Sequence, residues 1–170
     1  MLKGQDVVML LHLIGDPDIG STQRLADATG LSIATAHRAL HRLADAGLYD
    51  VRRRRVPEAA AEEFLVHAVK YLFPPVRGSE TRGVAAAWAA PPLLSAIAED
   101  DLPPVWPHPS GTRRGIALEP LHPAVPELAQ GDDELGQRLA LVDAIRAGDA
   151  RIRRLAEEAL VDSIRDAATR

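Results

Sequence analysis

The 170-residue chain contains no cysteine. Disulfides and thiolate metal sites are thereby excluded, and the absence is compatible with a reducing cytoplasm. Aromatic residues are scarce, at 4%. Strands favour aromatic and β-branched residues, so a core rich in Ala and Leu is built more readily from helices. Long apolar runs are also missing. The opening stretch to Asp16 is interrupted by His12, is too short for a bilayer and is followed by no small-residue cleavage site. A soluble, cytoplasmic protein is expected. There is no phosphate-cradling glycine loop, no nucleophile elbow and no pair of acid–base carboxylates. An enzyme is therefore not expected, and no cofactor is implied.

What is present is a 46% hydrophobic chain with a formal net charge of −4. The distribution of charge says more than its sum. Residues 1–55 carry eight basic and six acidic side chains, residues 56–98 three and four, and residues 99–170 nine and fourteen. The basic surplus lies at the head and the acidic surplus in the tail.

Apolar periodicity predicts a mainly α-helical protein. A first helix covers 4–14, with Val7, Val8, Leu10, Leu11 and Ile14 on its apolar side. A short second helix spans Thr22–Thr29, with Ser21 or Thr22 as N-cap and Gly30 as left-handed C-cap. Ser32 caps a third helix, Ile33–Ala46, which Gly47 closes. Pro57 opens a fourth that runs to about Phe73. Within and beside these helices His12 and His67 stand among apolar residues and are expected in the core.

Residues 74–126 hold most of the prolines together with Trp88 and Trp106, and predict an ordered, loop-rich segment. Val105-Trp106 and Gly115–Leu118, flanking Pro109-Ser110-Gly111, suggest a small hairpin. Two helices follow, over 132–147 and 149–168, with stripes Leu135, Leu139, Val142, Ile145 and Ile152, Leu155, Ala159, Ile164. The expected organisation is a head at 1–73, a proline- and glycine-rich segment at 74–131, and a helical pair at 132–170 whose stripes are candidates for dimerisation or, equally, for packing on the fourth helix within one chain.

The stretch from Thr22 to Leu48 supplies each part of a helix-turn-helix. Ala26 permits close helix approach, Gly30 takes positive φ, Leu31 plugs the corner, and Leu40 and Leu43 pack the third helix down. The motif resembles the winged-helix bacterial regulators of the MarR and IclR kind over roughly residues 4–55. That resemblance implies a DNA-binding head with its recognition helix in the major groove. A winged helix would continue into a hairpin, yet Leu48–Val51 is followed by four arginines and Pro57. The arginines take the wing's place, or the loop near Arg77–Arg82 supplies one.

On the outer side of the third helix the candidate DNA contacts are Ala34, Thr35, His37, Arg38, His41 and Arg42. Arg38 is the prime base reader, because a guanidinium can bond guanine O6 and N7 together. Thr22, Gln23, Ser32 and Thr35 suit phosphate contact, which fixes register. Arg52, Arg53, Arg54 and Arg55 add sequence-independent, salt-sensitive affinity. His37 and His41 share the i, i+4 spacing of helical metal ligands, but no Glu or Cys joins them nearby, and no metal is expected.

The expected function is a sequence-specific transcription regulator, a repressor, bound to double-stranded DNA as a homodimer. A second class stays open: an antitoxin-type protein that binds its own promoter and neutralises a partner toxin through its acidic C-terminal part. A third is an enzyme's accessory subunit without a DNA role.

Overall fold

The computed structural model describes residues 1–18 and 20–170. Helix α1 (Gly4–Gly15) is buried on nearly every side, through Val7–Leu11, Leu13 and Ile14. It is followed by α2 (Thr22–Thr29) and α3 (Ile33–Asp45), which cross in the helix-turn-helix. The local chemistry is that predicted. Ser21 Oγ accepts from the Arg24 N–H, and Gly30 turns left-handed at φ 66°. Ser32 Oγ accepts from the Thr35 N–H. Buried Leu25, Ala26, Ala36, Ala39 and Leu43 seal the interface.

The fourth helical region starts one residue later than expected, with Pro57 at the cap. It is not one regular helix. α4 (Glu58–Glu63) passes through a π-helical turn at Phe64–Ala68 into α5 (Val69–Leu72). Ala61, Leu65 and Val69 form its core-facing row. His67 is exposed, against expectation, because it lies two residues from both Leu65 and Val69 and so on the far side of the turn. His12 is half-buried, and desolvation holds its pKa below the ordinary histidine value, against the pull of Asp16 and Asp132.

The middle segment contains the largest departure. Strands β1 (Arg77–Ala85), β2 (Pro104–Pro107) and β3 (Arg113–Leu118) close on one another. The predicted hairpin is not formed: β2 and β3 pair in parallel, and β1 is the antiparallel partner of both. β1 lies where no strand is predicted, since Arg, Gly, Ser, Glu and Thr neither alternate in polarity nor, for the most part, favour strands. Its closure depends on glycine. A Cβ on Gly83 would collide with the Trp106 carbonyl, and one on Gly115 of β3 with that of Pro103.

α6 (Val125–Gly131) leads to α7 (Asp133–Ala147) and α8 (Ala150–Ala168). α7 is the central helix. It is buried without a break from Arg138 to Arg146 and is packed by α1, α8 and the turn around Trp88. Leu135, Leu139, Val142, Ile145, Leu160 and Ile164 are therefore all core residues of one chain. Of the two uses open to these stripes, packing on the fourth helical region within one chain is the one observed, α7 against α5 and α8 against α4. Buried polar groups on α7 fasten the sheet to the helices. The Trp106 indole N–H donates to Asp143 at 2.7 Å, and Arg146 bonds Asp143 and the Phe73 carbonyl. Burial pushes the Asp143 carboxyl up, while its two donors favour the charged form.

Candidate nucleic-acid interface

α3 presents two chemically distinct sides. Ala36, Ala39 and Leu43 point into the core. Ser32, Ile33, Ala34, His37, Arg38 and His41 are exposed, and Thr35 is half-buried beside them. The exposed groups form a connected polar row. Ser32 Oγ donates to Thr35 Oγ1 at 2.8 Å, and Arg38 Nη2 donates to the same oxygen at 3.3 Å. Arg38 is thus lightly held, with most of its guanidinium edge directed to solvent. One turn on, the His37 and His41 rings meet edge to face with Nε2 atoms 3.3 Å apart.

Arg42 does not belong to this row. Its Nε and Nη2 donate to the two oxygens of Asp6 at 2.8 and 2.7 Å, and the Asp6 side chain is fully buried. That bond holds the Arg42 pKa above its ordinary value. Asp6 also accepts from the Lys3 N–H at the start of α1. The pair ties α1 to α3 and takes Arg42 out of the candidate contact set. Position 42 flanks the core row set by Ala39 and Leu43, so its side chain reaches inward as easily as outward. Asp6 is the residue that sequence reasoning missed. The available signal was a carboxylate in the first turn of an otherwise apolar helix, which when buried requires a cationic partner.

On α2, Thr22 is half-buried and Gln23 is exposed, its amide donating to Asp27 at 2.9 Å. Beyond α3, buried Leu48 and Tyr49 return the chain to the core. Asp50 and Arg55 then form a single antiparallel bridge, with N–H···O bonds of 2.8 and 3.2 Å. Between them Val51–Arg54 make a tight turn, with Arg54 left-handed at φ 52°. The Asp50 carboxylate accepts from the N–H groups of both Arg52 and Arg53 at 3.0 Å, which lowers its pKa, and lies 3.7 Å from the Arg53 guanidinium. All four arginines are exposed. The place of a wing is thus filled by a one-bridge loop tipped with arginine. Arg77–Arg82 lie in β1, where they pair with β3.

Two helices in this crossing, a capped recognition helix with a basic outer row, and a reduced hairpin behind it are the parts of a regulator's DNA-binding head. Residues 7–49 match the IclR helix-turn-helix domain. That match supports a DNA-binding head of the kind transcriptional regulators carry. The match ends before the arginine turn, and the C-terminal part is assigned to no family. No curated protein and no solved structure matches the chain. Among the described residues, no helix is long and apolar enough to cross a membrane.

Proposed function

We propose that the protein is a sequence-specific transcription regulator that inserts the outer face of α3 into the DNA major groove and represses by occupying its site. The observation that carries this is the row of exposed Ser32, Arg38, His37 and His41 with half-buried Thr35 among them, free of carboxylates and followed in sequence by the arginine-tipped turn. Arg38 reads a base edge. Ser32 and Thr35, with Thr22 and Gln23 at the start of α2, position the phosphate backbone, and Arg52–Arg55 add counterion-releasing contacts. Repression is the outcome that occupancy alone produces. In vitro selection from a random duplex library, repeated at several salt concentrations, tests the reading. A defined motif should be enriched; pools without sequence preference at every salt concentration would overturn it.

The regulator is proposed to act as a homodimer, as helix-turn-helix proteins on pseudo-palindromic sites do. With the stripes of α7 and α8 buried, the proposed contact is the group of exposed apolar side chains near the end of α5, Tyr71, Leu72 and Val76, exposed by 77%, 57% and 55%. The antitoxin reading draws less support. Part of the acidic surplus it relies on is spent within the chain: Glu99 pairs with Arg113, Glu134 with Arg170, Glu157 lies near Lys70 and Glu158 near Arg154.

A further inference from the structure

The His37–His41 pair has a geometry that spacing alone does not specify. The two rings are on successive turns of α3, both exposed, with centroids 4.5 Å apart and planes at 67°. Their Nε2 atoms approach to 3.3 Å. A tetrahedral zinc ion with Zn–N bonds of about 2.0–2.1 Å separates two of its ligand nitrogens by about 3.3–3.4 Å. The nitrogens therefore already stand at the separation that one metal ion would set. They are the distal nitrogens, the pair that reaches solvent first. The i, i+4 spacing puts both side chains on one face of α3, within reach of one ion.

We propose that His37 and His41 chelate a borderline divalent cation of the zinc class through their Nε2 atoms. Imidazole nitrogen suits zinc and nickel and is a poor ligand for magnesium, which takes oxygen. Among the described residues, no group of three His, Asp or Glu side chains is clustered to hold an ion, so water completes the shell. The site is a two-ligand, open one with exchangeable metal, unlike a closed structural zinc centre. It lies on the face proposed for the groove, and an occupant would place two positive charges there. The chelate itself requires no DNA, and its test can fail while the regulatory reading stands.

The test is calorimetric titration of the full chain with zinc chloride in a non-chelating buffer, with magnesium chloride as control, alongside imidazole nitrogen NMR. Zinc should bind in the micromolar range at one site and magnesium should not bind. The His37 and His41 Nε2 signals should shift, while those of His12, His67, His108 and His122 stay in place. His41→Ala and His37→Ala should each lower zinc affinity by at least about tenfold. His67→Ala, an exposed histidine on the fourth helical region, should leave it unchanged. Absence of zinc-dependent heat, equal binding by the histidine variants, or shifts confined to the other four histidines would overturn the proposal. In that event the 3.3 Å approach is an N–H···N hydrogen bond between the rings and nothing more.

Discussion

Two arginines one turn apart on α3 have different work to do, and single substitutions separate them. Arg38 is exposed and held by one 3.3 Å bond to Thr35. Arg38→Ala should weaken binding to the selected DNA by about 1–3 kcal/mol and relax preference at one base position, with little change in melting temperature. Arg42 is bonded through two atoms to the buried Asp6. Arg42→Ala leaves that carboxylate without its cation and should destabilise the fold by about 3 kcal/mol, as read by chemical denaturation. Unchanged stability in Arg42→Ala, or a large loss in Arg38→Ala, would reverse the assignments. From the sequence both are basic residues on the outer part of one helix. What divides them is a partner 36 residues away on α1, which local spacing does not reveal.

At the scale of elements, agreement tracks how local the forces are. α2 and its caps follow from Ser21, Gly30 and Ser32, each acting within a few residues, and the predicted bounds Thr22–Thr29 are those observed. The sheet in the middle follows from nothing so local. β1 pairs Gly83 with Pro107 and Arg77 with Leu118, tens of residues along the chain, and its side chains carry no alternation. The turn between Asp50 and Arg55 is intermediate. Its arginines are evident, while the Asp50 carboxylate that folds it is an ordinary Asx-type device that is easily overlooked beside them. Replacing Arg52–Arg55 with glutamines should reduce the slope of log affinity against log salt by about 0.9 for each phosphate left without its cation, measured by fluorescence anisotropy. A slope equal to that of the parent protein would show that the turn is not at the backbone.

The molecule as a whole is built around α1 and α7, and the helix-turn-helix is packed onto the same core as the C-terminal helices. Stability of the head therefore depends on groups outside it. Burial lowers the pKa of His12, on α1 and near Asp132, and likewise that of half-buried His122. A histidine whose folded pKa lies below its unfolded value is held neutral by the fold. It contributes full stability above the unfolded value of about 6.5 and loses it progressively as pH falls towards the folded one. Denaturation midpoints should thus drop between about pH 7.5 and pH 5.5, and His12→Gln should flatten the drop. A pH-independent midpoint would contradict it. Self-association is also a whole-molecule property. Tyr71→Ser combined with Leu72→Ser should convert a dimer to a monomer in sedimentation equilibrium without loss of helicity, and a dimer that persists would move the contact elsewhere.

The claim on which the rest depends is that the outer side of α3 is the surface that meets DNA. Hydrogen exchange of the backbone amides, with and without the selected duplex, probes that surface directly. Protection should appear at Ser32–His41 and across Arg52–Arg55, leaving α8 and the three strands as they are in the free protein. Protection confined to α8 or the strands, with α3 unaffected, would contradict the account.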